Sequence, residues 1–354
     1  MNTPEIKIVG VGLLGTSLGL ALKNHGVVAQ LTDQSKANLR LAIEYGAGVE
    51  SETEPDLIVV CVPPDLTAGV VASELAAHPS ATVTDVASTK LEIQNQVMSL
   101  TDQHHRYVGS HPMAGREKGG PGKGRADLFF ARPWVITKRE QVDSSRVEQV
   151  RDLALRLGAL PQLMTASDHD AAVALISHLP QLVSSAVAAR LIGANPDFLA
   201  LSGQGLRDTT RIAASDPDLW MQILQQNASE LAPLIAAVRD DLGKLHESLS
   251  NPEANGALAA LHTLLEAGNQ GVSQIPGKHG GKFANYEQVT VIIDDSPGAL
   301  AALFTFIGEI GVNLEDMKLE HSPGAAIGLV ELQVVPEALQ RLTTSLTENG
   351  WRLV

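Results

Sequence analysis

Ile6-Lys-Ile-Val-Gly10-Val-Gly12-Leu-Leu-Gly15-Thr-Ser-Leu-Gly-Leu-Ala-Leu-Lys23 carries glycines in GxGxxG spacing between a short apolar run and a helical pattern. Each glycine answers a separate need. The first makes the tight turn, the second lets a pyrophosphate reach the backbone, and the third lets helix and strand pack closely. The helix start then offers free amides and partial positive charge to a phosphate. Asp33 stands at the end of the next apolar run, Val28 to Asp33. A carboxylate there accepts bonds from ribose hydroxyls and repels a 2′-phosphate, and no arginine follows before Arg40, so the pattern favours NAD. A glycine turn that serves packing alone is the competing reading. The expected cofactor contacts are Gly10, Gly12, Leu13, Leu14, Gly15 and Asp33. Val62 and Pro63, after the third apolar run, join them.

Working outward, residues 1–165 alternate strand and helix signals. Ile6–Val9, Val28–Asp33, Leu57–Val62, Thr82–Asp85, Arg106–Gly109, Trp134–Thr137 and Gln162–Met164 read as strands. Helical patterns run through Ser17–Lys23, Lys36–Tyr45, Leu66–Ala77 and Arg146–Leu157. That alternation predicts a doubly wound, mainly parallel α/β sheet of Rossmann type. Residues 166–272 lose the strand signal, and apolar residues recur at helical spacing through Ala171–Leu191, Leu219–Leu249 and Ala257–Leu265. They predict an all-α substrate and dimerisation domain. Residues 273–284 hold Ile275-Pro-Gly-Lys-His-Gly-Gly281, a Pro/Gly linker. Residues 285–354 then read β-α-β-β-α-β, the ferredoxin-like plan.

The chain has 354 residues, 44% of them hydrophobic, with a formal charge of −14. Such acidity argues against a nucleic-acid partner or an anionic membrane surface, and leaves room for a small anionic substrate in a locally basic pocket. Cys61 is the single cysteine, so no internal disulfide can form. The first residues lack a signal-peptide pattern, and no unbroken apolar run approaches membrane-spanning length. The expectation is a cytoplasmic protein with no membrane partner. His104 and His105 are adjacent, and no metal-ligand spacing is visible.

Ser110-His111-Pro-Met-Ala-Gly115 follows a strand whose end should face the ligand crevice. An imidazole placed there can take a hydroxyl proton as hydride leaves the same carbon. This run resembles the HPxxG signature of the prephenate/arogenate dehydrogenase (TyrA-type) family. Three further segments resemble that family in the same order: Asp85-Val-Ala-Ser-Thr-Lys90, Ile176-Ser-His-Leu-Pro180, and Leu206-Arg-Asp-Thr-Thr-Arg211 with its continuation to Trp220. Together they span residues 6 to about 225. The resemblance implies oxidative decarboxylation of prephenate to 4-hydroxyphenylpyruvate with NAD, in tyrosine biosynthesis, or the parallel reaction of arogenate to tyrosine. It implies His111 and Ser88 as catalytic residues. Arg211, Glu117, His178, Gln181 and Trp220 would bind substrate. Ser88 could instead cap a helix, and Trp220 could simply fill a core. Family members that use prephenate commonly carry a second histidine just after SHLP, where this chain has Gln181, and that departure weakens the case for prephenate over arogenate.

Asp295-Ser-Pro-Gly-Ala-Leu300 and Gly311-Val-Asn313 resemble the two turns of ACT domains. This implies an aromatic amino acid effector held near Asp295, Pro297, Gly298, Leu300 and Asn313, in a homodimer. Two other readings compete. A β-hydroxyacid dehydrogenase would want a lysine on the helical domain, and the stretch from Ser167 to Arg211 has none. A non-catalytic NAD and amino-acid sensor would have no need of His111 or Arg211.

Overall fold

Strands buried on both faces need no polar alternation, and the runs Leu57-Ile-Val-Val60 and Thr82-Val-Thr-Asp85 are buried at every position. The computed structural model describes residues 4–115, 119–276, 286–321 and 327–354. In it β1 (Ile6–Val9), β2 (Gln30–Thr32), β3 (Leu57–Val60), β4 (Thr82–Asp85) and β5 (Tyr107–Val108) form a parallel sheet in the order β2-β1-β3-β4-β5. The helices are α1 (Leu13–Asn24), α2 (Lys36–Glu44), α3 (Pro64–Ala77) and α4 (Leu91–Leu100). Neighbouring residues of β3 point to opposite faces. Val59 packs with Ile8, Leu18 and Leu22 in one core, whereas Ile58 and Val60 pack with Val71, Leu75, Val83 and Ile93 in another. The sheet is thus covered on both sides, as the Rossmann-type reading requires.

After Gly109 the chain enters a second sheet. β6 (Ser110–Pro112) runs antiparallel to β7 (Pro133–Thr137), and after α5 (Ser144–Arg156), β8 (Leu160–Met164) lies parallel to β7. The sequence placed His111 just past a single strand. It lies instead inside β6, immediately beyond the carboxyl end of β5. The change follows from pairing: His111 is opposite Val135 of β7 and has left the parallel sheet.

Thr165 caps the next helix by accepting the Asp168 amide at 3.0 Å. α6 (Ala166–Val173) continues through a π-helical turn (Ala174–His178) into α7 (Leu179–Ala189). Pro180 cannot donate the bond that the Ile176 carbonyl would receive in a regular helix, and the wider turn lies just before it. Within this 24-residue rod an 18-residue window has mean hydropathy 1.5, and the rod meets the length and composition test for crossing a membrane. The sequence reading had found no such run because His169, Asp170, His178 and Gln181 interrupt it. Those interruptions are all buried, while 28% of the apolar window as a whole is buried. α8 (Pro196–Ala200), α9 (Gln204–Thr210), α10 (Pro217–Gln226), α11 (Ala228–Ser250) and α12 (Ala257–Val272) follow. The pattern from Leu219 to Leu249 predicted one helix, but Asn227 divides it, with φ −112° and ψ 23°.

Contacts divide the chain into two units. One comprises Met1–Ala194 with Thr209–Val238, and the other Asn195–Asp208 with Arg239–Val354. In the second unit β9 (Glu287–Asp294), α13 (Ala299–Glu309), β10 (Asp316–His321), β11 (Ile327–Val334), α14 (Pro336–Glu348) and β12 (Arg352–Leu353) form an antiparallel sheet with two helices. Its strand order is β10-β11-β9-β12. Val289, Val291 and Ile293 point inward at period two and meet Leu303, Ile307, Leu342 and Leu346.

The glycine turn is tightly constrained. Gly10 has φ +92°, and a Cβ on Gly15 would lie 1.9 Å from the Gly10 carbonyl oxygen. Backbone cannot yield as a side chain can. Gly15→Ala is therefore expected to cost more than about 2 kcal/mol of stability, read as a clear fall in the thermal unfolding midpoint.

Candidate functional site

Three features meet at the carboxyl edge of the parallel sheet. Gly12 is the residue before α1, and a Cβ built on it meets nothing within 4 Å. The cradle is closed on the sides of Gly10 and Gly15 and open at Gly12, where a pyrophosphate would approach Leu13 and Leu14 in the first turn of α1. Asp33 follows β2. Its carboxylate accepts the Val11 amide at 2.8 Å and the Ser35 amide at 2.7 Å. It thereby clamps the glycine turn, and its spare lone pairs can still accept hydroxyl donors. Pro63 is the residue before α3, and Val62 lies beside Gly10. These residues fit a dinucleotide.

Beneath this cradle lies a buried polar centre. Asp85, at the end of β4, is fully buried. One oxygen accepts the Tyr107 hydroxyl at 2.8 Å and the Ser110 amide at 3.3 Å; the other accepts the Ala87 amide at 3.0 Å and pairs with the Lys90 ammonium. Burial lowers the Lys90 pKa, against the raising effect of Asp85. Burial, reinforced by Asp85, pushes the Tyr107 hydroxyl well above its usual value. The Ser110 hydroxyl donates to the Asp85 carbonyl at 2.7 Å and accepts the Trp134 indole at 3.0 Å. The loop 85–90 is thus fixed at both ends, with half-buried Ser88 on it. Ser88 does not cap α4. That start is capped from elsewhere: Asp170 accepts the amides of Lys90 and Leu91, each at 2.8 Å.

Asp170 lies on α6 beside His169. His169 Nδ1 is 2.7 Å from an Asp170 oxygen, and His169 Nε2 is 2.9 Å from His111 Nδ1. The two rings meet edge to face at 5.1 Å. Burial first, then His169, Lys90 and His178, hold the His111 imidazole well below its usual pKa. A neutral imidazole there can accept a proton. His178 Nδ1, from the π turn, accepts the Asn227 side-chain amide at 3.1 Å, and the same NH2 group donates to the Asp170 carbonyl at 2.8 Å. These bonds explain why Asn227 interrupts the helical pattern. Trp220, on α10, packs edge-on against His178 at 5.8 Å. Gln181 is buried, and its carbonyl oxygen accepts from the Ser215 hydroxyl at 3.4 Å. Arg211 opens the short 3-10 turn Arg211–Ala213 that precedes Ser215.

The fold therefore brings His111, Ser88, His178, Gln181, Trp220 and Arg211 onto one unit. Glu117 lies outside the described residues. Asp295, Pro297, Gly298, Leu300 and Asn313 lie on the second unit, with Gly298 at φ +93° before α13 and the Asn313 amide donating to Glu315 at 3.0 Å. Sequence reasoning assigned no role to His169, Asp170 or Asn227. The signal available was the charged Asp168-His-Asp170 run at the start of an apolar helix, which reads equally well as a capped helix start. A cavity of about 570 Å³ lies at the far end of α1, lined by Asn24, His25, Arg125 and Phe130 among others, and contains none of the candidate residues.

Two family models match the chain: prephenate dehydrogenase, nucleotide-binding domain, over residues 18–161, and prephenate dehydrogenase, dimerization domain, over residues 165–266. The chain is 32% identical over 353 residues to the probable prephenate dehydrogenase NovF of Streptomyces niveus, across 97% of this chain and 98% of that protein. Among solved structures it is similar to the arogenate dehydrogenase of Synechocystis, with 30% identity, TM-score 0.63, and coverage of 76% of this chain and 99% of that one. The prephenate dehydrogenase of A. aeolicus, crystallised with hydroxyphenyl propionate and NAD+, shares the fold at 24% identity, with TM-score 0.66 and coverage of 77% and 99%.

Buried neutral histidines make stability depend on acidity. Burial lowers His178 to about 4, and His111 shifts the same way. The unfolded chain takes these protons near pH 6.5, and the folded chain resists them. Stability is therefore complete above about pH 6.5 and is lost as pH falls toward about 4. Thermal melts across that range should show the midpoint dropping by several °C, with a flat profile between pH 7 and 8; a midpoint that rises on acidification would contradict the burial argument.

Proposed function

The chain belongs to the prephenate dehydrogenase family, and from that premise we propose how its residues carry out an NAD-dependent oxidative decarboxylation of prephenate to 4-hydroxyphenylpyruvate. NAD, when bound, supplies the hydride acceptor. Gly10, Gly12, Leu13, Leu14 and Gly15 would hold its pyrophosphate at the start of α1, Asp33 its adenosine ribose, and Val62 and Pro63 the wall nearer the nicotinamide. The open space at Gly12 and the carboxylate clamp at Asp33 support that placement.

The substrate is a cyclohexadienol with a ring carboxylate and a 4-hydroxyl. His111 accepts the hydroxyl proton while the C4–H bond breaks and its electron pair leaves as hydride. The C1–carboxylate bond then breaks, CO2 departs, and its pair completes the aromatic ring. The phenol oxygen recovers a proton, so no net proton is consumed. Aromatisation drives the reaction, and the protein's task is to orient the ring and bear the proton. Ser88, on its fixed loop, would bond the same oxygen. Arg211 would grip a substrate carboxylate with its planar fork. His178, Gln181 and Trp220 would line the ring pocket, with Glu117 a further substrate contact by the family resemblance. The observation that carries this reading is the half-buried His111, its Nδ1 held 2.9 Å from His169 Nε2 just beyond the sheet edge.

Arogenate is the second reading, favoured by Gln181. A neutral amide can bond an ammonium-bearing side chain or a pyruvyl carboxylate, whereas a cationic imidazole would prefer the anion. Residues 285–354, within the second unit, we assign as an ACT module of ferredoxin-like plan. It would bind an aromatic amino acid near Asp295, Pro297, Gly298, Leu300 and Asn313. Its βαββαβ order and its turn at Gly298 support that assignment. A homodimer built through the helices around α7 and α11, and a cytoplasmic setting, complete the proposal.

The direct test is NADH formation with prephenate and arogenate supplied separately. Turnover of at least one is expected, and the ratio of the two kcat/KM values interprets Gln181. His111→Asn is expected to lower kcat by about 10²- to 10⁴-fold with little change in KM. Turnover of neither substrate by protein that binds NAD would overturn the reading.

A further inference from the structure

The mechanism gives His111 a proton to carry, but an imidazole is useful as a base only in one tautomer and one orientation. Asp170 decides both, at second hand. Its carboxylate accepts the Lys90 and Leu91 amides at 2.8 Å each, so it acts as an acceptor. The nitrogen of His169 that faces it, Nδ1 at 2.7 Å, must then be the donor. When His169 carries a single ring proton, that bond places it on Nδ1 and leaves Nε2 only a lone pair to offer. His111 Nδ1, 2.9 Å away, must therefore carry a hydrogen and donate it. This leaves His111 Nε2 as the unprotonated nitrogen, and among the described residues it makes no hydrogen bond.

We propose that His169, oriented by Asp170, is a positioning residue of the reaction, which fixes His111 in the tautomer whose Nε2 lone pair meets the substrate hydroxyl. The inference rests on the dehydrogenase reading above and adds to it the residue that makes His111 competent. When the hydroxyl proton arrives, it bonds to His111 Nε2, and the ring becomes an imidazolium. His169 Nε2 accepts the Nδ1–H of that cation and stabilises it. The proton then returns from His111 to the phenol oxygen, and no other reactant is needed. The arrangement places a histidine and a carboxylate behind the base, where hydrolases place a carboxylate alone.

The groups that face His111 come from three directions. Lys90 and Asp85 approach from the loop between β4 and α4, His169 and Asp170 from α6, and His178 from the π turn. Lys90 and Asp85 pair with each other. His178 is engaged with Asn227. Among the described residues, only His169 is hydrogen-bonded to the His111 side chain. Removal of His169 would leave a buried N–H without an acceptor, or let the ring take the other tautomer and turn its hydrogen toward the substrate oxygen.

Two variants separate this role from a structural one. His169→Gln can keep an oxygen where Nε2 now accepts. His169→Leu keeps bulk and removes the acceptor. Steady-state kinetics with saturating NAD would be run on wild type and both variants, with NAD affinity and melting point checked for each. His169→Leu is expected to lose about 10²-fold or more in kcat, with substrate KM within about threefold and the acid limb of kcat/KM moved to lower pH. His169→Gln should recover kcat to within about tenfold of wild type. ¹⁵N NMR of histidine-labelled protein, which needs no turnover, should show His111 as Nδ1–H in wild type and in His169→Gln, and altered in His169→Leu. The inference is overturned if folded, NAD-binding His169→Leu keeps wild-type kcat, if His169→Gln falls as far as His169→Leu, or if His111 is Nε2–H in the wild type. Failure of wild type itself to oxidise prephenate or arogenate would strike the function reading instead, and the NMR result would still judge the tautomer.

Discussion

The carboxylate of Asp170 holds the active unit together. It is buried on α6, and it accepts two amides at the start of α4 and one imidazole at the same time. A buried carboxylate is costly unless every lone pair is used, and here the donors come from both the sheet domain and the helical rod. One side chain thus joins the loop that carries Ser88 to the helix that carries His169. The separations are long, 80 and 79 residues for the two amide bonds. The two halves of the site cannot be placed independently.

A second buried acid repeats the device one layer down. Asp85 satisfies its oxygens with Tyr107, Ser110, Ala87 and Lys90, and so fixes the strand that delivers His111. Neither acid needs to touch substrate. Their work is to keep the His111 ring and the Ser88 loop in register. The same low-polarity surroundings hold His111 neutral, which suits a base that must accept a proton. The structural cost appears as acid sensitivity, because each buried neutral histidine resists a proton that the unfolded chain would take.

Much of this fold was legible from residue order. Period-two and fully apolar runs marked β1, β3, β4 and β7, and the glycine spacing marked the turn before α1. The family motifs marked His111, His178 and Arg211. Other features were not legible for physical reasons. α4, with the sequence Leu91-Glu-Ile-Gln-Asn-Gln-Val-Met-Ser-Leu100, is short and mixed in polarity, and its start is capped from across the chain by Asp170 instead of by a local residue. The break at Asn227 is imposed by bonds to Asp170 and His178, and no helix-breaking residue announces it. The move of His111 from a parallel strand end into β6 depends on pairing with β7, where its partner Val135 lies 24 residues further along the chain. His169 is 58 residues from His111, and nothing local distinguishes it from a histidine in a capped first turn. Pattern reading finds what is periodic or recurrent in a family; it misses a bond whose two ends are both ordinary.

The measurement that bears most directly on the account is kcat of Asp170→Asn with saturating NAD and prephenate or arogenate. An amide in place of the carboxylate can accept at one atom only, so it cannot hold the Lys90 amide, the Leu91 amide and His169 together, and it carries no charge to set beside the His169 ring. The account predicts that NAD affinity stays near the wild-type value while kcat falls by about 10²-fold or more. A folded Asp170→Asn protein with wild-type kcat would contradict it, and would mean that His111 keeps its tautomer without help from the buried acid.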